Sequence, residues 1–167
     1  MPPRVSRKRQ CSNAVSAPRR PPIKWPGKPK EAVMPLTRID LRRGKSAEYR
    51  RAIMEQVYAA MRETFDVPDE DRFMLVTEHD AGTISYSHRY LGIERSDDLV
   101  LIQITANNTR TLEQKKALYR SIARRLAIAP GIRPADVMIN LVEVAKENWS
   151  FGNGEAQYAA AVDEKLP

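Results

Sequence analysis

Cysteine is almost absent from this chain. Cys11 is the one present, so no disulfide framework can staple the fold. Histidine is nearly as scarce: His79 and His88, even with Cys11, are too few for a His/Cys zinc centre. Glu78-His79-Asp80 lacks the Gly-x-Ser-x-Gly elbow that would make it part of a nucleophile triad. Gly82, Gly92, Gly131, Gly152 and Gly154 fit neither the dinucleotide nor the P-loop spacing, so no phosphate cradle is expected. Neither a metal nor an organic cofactor is implied. No apolar run approaches the roughly 18 residues of a membrane span, and the apolar centre of a secretory signal is missing. No membrane partner is expected. The triplets Asn107-Asn108-Thr109 and Asn148-Trp149-Ser150 therefore carry no glycosylation meaning, and a reducing cytoplasm is the expected compartment.

The formal charge of +7 is unevenly placed. Residues 1–33 hold nine of the 28 basic side chains and only Glu31 of the 21 acidic ones, leaving 19 basic against 20 acidic elsewhere. Seven of the 12 prolines share that stretch, which has few aliphatic residues and cannot bury enough apolar surface to order itself. Residues 1–34 are thus expected to be a disordered, basic, Pro-rich leader. Met34-Pro35 after it reads like a start of translation. Residues 35–160 are expected to form one domain, and 161–167 a carboxy-terminal tail. The leader also admits a non-enzymatic reading, a trimeric module whose basic tail grips nucleic acid by releasing counterions. Trp25 is the only aromatic among those cations and the remainder is close to neutral, so nucleic acid is not the expected partner.

From Pro35 onward the chain falls into two similar halves. Thr37, Ile39 and Leu41 alternate with Leu36, Arg38 and Asp40, the period of a half-buried strand that Pro35 can open. Ser46 then offers a helix cap, and Tyr49, Ile53, Val57, Met61 and Phe65 recur every four residues as one apolar stripe. Val67-Pro68 ends this helix, and residues 73–77 read as a second strand. The second half opens on residues 99–105, an apolar run of the kind found in a strand covered on both faces. Thr111 with Gln114 makes a capping box, and Leu118, Ile122 and Leu126 form the next stripe. Lys116, Arg120 and Arg124 lie opposite it as a solvated face. Pro130-Gly131 ends the helix, and residues 137–144 read as the last strand. Residues 80–98 between the halves read as a hairpin or loop.

Strand, helix and strand twice over predict an α/β (α+β) fold: two tandem βαβ units forming a four-stranded mixed sheet backed by two helices. Two helices cover one sheet face, and association with further copies is the expected remedy for the other.

Several dispersed features resemble the tautomerase superfamily, in particular its malonate semialdehyde decarboxylase-like branch. They are Pro35-Leu36 with Asp40-Leu41, Val67-Pro68 with Asp71-Arg72, Arg110 with Glu113-Gln114-Lys115, and Trp149-Ser150-Phe151-Gly152 with Gly154. The resemblance spans residues 35 to about 158, with one extra residue before Arg110. It implies a homotrimer of tandem βαβ protomers, an amino-terminal proline at Pro35, a polar carboxylate at Asp71, a substrate-carboxylate arginine at Arg110, and an aromatic pocket wall at Trp149 and Phe151. The pattern has a second arginine two places before Arg110. Here that neighbourhood reads Asn107-Asn108-Thr109.

Physical chemistry is compatible with those roles and also supplies plainer ones. A free α-amino group titrates at about 7.7–8.0, and burial disfavours its cation, so a terminal Pro35 would be a base near neutrality. Left internal, it simply opens a strand. Asp71 follows a proline where aspartate commonly serves a turn or cap. Arg110 precedes a helix amino terminus, whose dipole already favours an anion, but arginine there is commonly just solvated. Trp149 and Phe151 suit a core as well as a pocket wall. The expected activity is cofactor-free keto–enol tautomerisation of a small 2-oxo acid, Pro35 acting as base. The alternative is decarboxylation or hydration of a 3-oxo acid, as in malonate semialdehyde decarboxylase.

Overall fold

The alternation of the first strand, β1 (Leu36–Arg42), sorts its residues between two environments: Thr37, Ile39 and Leu41 are at most 1% exposed, whereas Arg38 stands in solvent. The computed structural model describes residues 34–158. The expected leader apart from Met34, and the expected tail at 161–167, lie outside the described residues.

Four strands form one sheet in the order β2-β1-β3-β4. β1 runs parallel to β2 (Phe73–His79), with Leu36 opposite Phe73. β3 (Val100–Asn107) runs parallel to β4 (Val137–Val144), with Val100 opposite Val137. The halves join through β1 and β3, which are antiparallel, Leu36 opposite Thr105 and Leu41 opposite Val100. In each half a helix crossover returns the closing strand parallel to the opening one, the connection a parallel pair requires.

The helices α1 (Ala47–Phe65) and α2 (Leu112–Ile128) both pack on the face carrying Ile39, Leu41, Ile102 and Ile104. Ser46 caps α1 by accepting from the Tyr49 N–H at 3.1 Å. At α2 both bonds of the capping box form, Gln114 N–H to Thr111 Oγ1 and Thr111 N–H to Gln114 Oε1. The stripes bury Ile53, Val57, Met61 and Phe65 against Leu118, Ile122 and Leu126. Each such side chain contributes about 1.5–3 kcal/mol when fully buried. Glu63 of α1 links the helices, meeting Ser121 Oγ at 2.9 Å and the Arg125 guanidinium at 2.8 Å. Among the described residues no helix is long and apolar enough to cross a membrane.

β3 departs from the expectation that both its faces are covered. Val100, Ile102 and Ile104 are buried under the helices, but Gln103 is exposed and Leu101 only half-buried on the other face. Two helices suffice for one face. The second carries Phe73, Leu75 and Met138, each about half exposed, with Gln103 and Asn140 hydrogen-bonded at 3.1 Å among them. Residues 80–98 contain no strand and one short 3-10 turn, Tyr90–Gly92.

This topology gives the sheet two dissimilar ends. At one meet the starts of β1 and β2, the ends of β3 and β4, the carboxyl end of α1 and the amino end of α2. Pro35, Asp71, Arg110 and Trp149 all lie within a few residues of those termini.

Candidate active site

Pro35 is buried immediately ahead of β1. With Met34, Leu36, Phe73, Trp149, Ser150 and Phe151 it lines a pocket of about 220 Å³. While Met34 is attached, the Pro35 nitrogen is a tertiary amide and has no basic lone pair.

The aromatic wall comes from the segment after β4. Trp149 and Phe151 stack with ring centres 5.6 Å apart and planes 15° from parallel, and Tyr158 meets Phe151 edge-on at 5.1 Å. Gln157 closes the intervening turn, accepting from the Phe151 N–H and donating to the Gly152 carbonyl, both at 3.0 Å. Gly152 and Gly154 take φ of 140° and 72° there, backbone conformations in which a side chain would be strained. The Trp149 indole N–H donates to Asn107 Oδ1 at 2.8 Å, and Asn107 is only 2% exposed.

Asp71 sits two residues before β2, on a turn tacked to α1. The Tyr58 hydroxyl lies 2.9 Å from the Pro68 carbonyl and 2.6 Å from that of Asp69, and Arg72 pairs with Glu55 at 2.8 Å. The residue is 7% exposed, its carboxylate oxygens are buried, and neither oxygen has a hydrogen-bond partner among the described residues. Desolvation pushes its pKa up from 3.8 to about 7. Tyr158 is pushed up to about 12, by burial first and then by the charge of Asp71.

The second half of the chain supplies an internal comparison. Asp136 holds a matching place immediately before β4 and is 1% exposed. It accepts from the Ser96 N–H at 2.6 Å, the Ser96 hydroxyl at 2.8 Å and Arg133 Nε at 2.9 Å. Burial alone would raise its pKa, but those hydrogen bonds and the Arg133 charge hold it below the ordinary value. The two aspartates thus share burial and differ in partners. Asp136 is a structural staple, and Asp71 has the environment of a titrating acid or base near neutral pH.

Arg110 bridges the two helix ends. It donates to the carbonyl of Phe65, the last residue of α1, at 3.0 Å and to Thr109 Oγ1 at 2.7 Å, with its guanidinium 5.1 Å from the Phe65 ring centre. The amino end of α2 begins beside it and adds positive potential. Of the sequence-predicted residues, Pro35, Trp149 and Phe151 line one pocket. Asp71 and Arg110 share that end of the sheet but are not among the residues lining the pocket. Sequence reasoning passed over Asn107 and Tyr158. A polar residue closing the apolar run of β3 was the available sign for Asn107. Among the described residues no group of His, Cys, Asp and Glu could hold a metal ion.

Residues 71–152 match a family model described as tautomerase enzyme, and residues 35–87 match a second model of the same description. The probable tautomerase YusQ of Bacillus subtilis (strain 168) is 41% identical over 124 residues, which cover 74% of this chain and 98% of YusQ. The crystal structure of FG41 malonate semialdehyde decarboxylase, inhibited by 3-bromopropiolate, matches with a TM-score of 0.70 at 38% identity over 79% of this chain and 99% of that one. A malonate semialdehyde decarboxylase whose structures address decarboxylase and hydratase activities matches with a TM-score of 0.70 at 32% identity, over 75% and 97% of the two chains. On its dispersed motifs, its paired βαβ halves and these similarities, the chain belongs to the tautomerase superfamily, in the branch that includes malonate semialdehyde decarboxylase.

Proposed function

We propose that this tautomerase-superfamily enzyme interconverts the keto and enol forms of a small 2-oxo acid, with Pro35 as general base once the Met34–Pro35 bond is cut. The observation that carries this reading is the burial of Pro35 in a small pocket beside Trp149 and Phe151. A freed terminal amine is a base, and burial disfavours its cation and lowers its pKa towards neutrality, which suits proton abstraction at neutral pH. Arg110 and the amino end of α2 hold the substrate carboxylate. Pro35 takes a proton from the carbon beside the oxo group and returns it to the oxygen, giving the enol and freeing the base; in the reverse direction the same proton moves from the enol oxygen back to the carbon. Asp71 orients the substrate or a water. No cofactor enters, and a pocket of about 220 Å³ lies below the roughly 300–1,000 Å³ of drug-sized sites, consistent with a small acid.

Decarboxylation or hydration of a 3-oxo acid is the second reading. It draws support from the orphaned carboxyl of Asp71, poised near neutrality to activate water, and from the likeness to two malonate semialdehyde decarboxylases. We further propose that three copies associate through the uncovered sheet face.

The test offers phenylpyruvate enol and malonate semialdehyde to protein beginning at Pro35. Tautomerase turnover is expected. Protein with residues 1–34 still attached, its intact mass confirmed, should fold but turn over little, and Pro35→Ala should retain part of the rate through its primary amine. Decarboxylation without tautomerisation would reverse the order of the two readings. Equal turnover with and without the leader would remove Pro35 from the mechanism.

A further inference from the structure

We infer that Asn107 is a positioning residue of the pocket, whose hydrogen bond to the Trp149 indole fixes the aromatic wall against which the apolar side of a ligand lies. The inference rests on reading the Pro35 pocket as the substrate site.

Asn107 is the last residue of β3 and pairs with Val144, the last of β4, so its backbone is part of the rigid sheet. Trp149 belongs to the segment beyond that ladder. The backbone bonds there are short-range, Asn148 N–H to Ala145 at 3.1 Å and Trp149 N–H to Lys146 at 3.4 Å, and they leave the indole direction open. The 2.8 Å bond from the indole N–H to Asn107 Oδ1 ties the ring to the sheet. Orientation then passes outward through the stack on Phe151 to the edge of Tyr158, while Gln157 closes the turn.

Residue type matters at position 107. An indole N–H is a donor only, so losing its acceptor leaves a half-buried donor that gains by turning towards water, and the ring loses the bond that aims it. An amide oxygen supplies the acceptor without bringing a charge beside the stacked rings. An apolar residue of similar size would fill the space but could not hold the direction.

The test uses the full-length chain carrying Trp25→Phe, in which Trp149 is the remaining tryptophan. The probe is 3-phenylpropionate, a carboxylate bearing an apolar ring, titrated by Trp149 emission. Asn107→Leu is expected to shift emission to longer wavelength, open Trp149 to acrylamide quenching, and weaken probe binding by about tenfold, the scale of one lost hydrogen bond. Asn107→Asp, which keeps an acceptor, should restore parent-like emission. With Trp149→Phe already in place, binding followed by calorimetry should change little on adding Asn107→Leu, because a residue acting through Trp149 has nothing left to position. Unchanged emission and quenching in Asn107→Leu, or independent and multiplicative losses in the double variant, would overturn the inference. The emission arm needs no turnover, so it can succeed or fail whatever reaction the pocket catalyses.

Discussion

Replacing Asp71 by asparagine should stabilise the protein at alkaline pH and do little at acid pH. In the folded chain its carboxyl is raised from 3.8 to about 7 because it is desolvated without a hydrogen-bond donor. A group raised in this way binds its proton more tightly when folded than when unfolded. Its contribution is therefore fully present below the unfolded value, and is lost as pH rises through the folded one. The gap between 3.8 and about 7 corresponds to on the order of 4 kcal/mol, an upper figure because water reaching the carboxyl would relax it. Urea unfolding at one fixed protein concentration, repeated from pH 4 to pH 8.5, measures the effect. The parent should lose stability steadily up to about pH 7 and then level off, while Asp71→Asn should lack that component. Asp136→Asn is the control of opposite sign. Its carboxylate is held below the ordinary value by Ser96 and Arg133, so its contribution is present at neutral pH and lost on acidification, and the variant should be weakened at pH 7. Parallel pH curves for the parent and Asp71→Asn would refute the claim that Asp71 is buried and unpaired.

Arg110→Ala should raise KM for an oxo acid by about 10–100-fold, the worth of one or two charge-assisted hydrogen bonds, with a smaller change in kcat; an unchanged KM would remove it from carboxylate binding. Leu118→Ala, at a fully buried position between the helices, should cost about 2–5 kcal/mol in urea unfolding while leaving the pocket residues in place. If the proposed trimer forms through the uncovered sheet face, Leu75→Lys there should shift the native mass measured by light scattering towards monomer, and an unchanged mass would place any interface elsewhere.

The elements were legible in the sequence because each announces itself locally. Alternation marks β1, the four-residue stripe from Tyr49 to Phe65 marks α1, and the Thr111–Gln114 box marks the start of α2 at the position observed. The exposure of one side of β3 was not legible, since a continuous apolar run looks the same whether its second face meets helices or is left open. Pro35, Trp149 and Phe151 were singled out by the resemblance to the tautomerase superfamily, since on physical chemistry alone each also suited a strand start or a core. The contrast between the two aspartates escaped, because Asp71 and Asp136 both follow a proline and precede a strand. What separates them is Ser96, which reaches Asp136 across 40 residues of sequence. Asn107 was named only within a glycosylation triplet and the stretch that lacks the second arginine, because its partner Trp149 lies 42 residues away.

The antiparallel junction of β1 with β3 also decides which parts of this molecule are open to alteration. Three links lie at the end remote from Pro35: the one into α1 within the first half, residues 80–98 between the halves, and the turn from α2 into β4 within the second. Gly82 sits there in a tight turn closed by the Thr83 N–H to the Asp80 carbonyl at 2.9 Å, with open space around it. β1 is 7 residues long, so an insertion at Gly82 would stand about 20 Å from the pocket at the usual rise per residue. A peptide tag or fluorophore attachment site could be spliced in at that turn without displacing any group proposed for chemistry, whereas a similar graft between Trp149 and Tyr158 would dismantle the pocket wall itself.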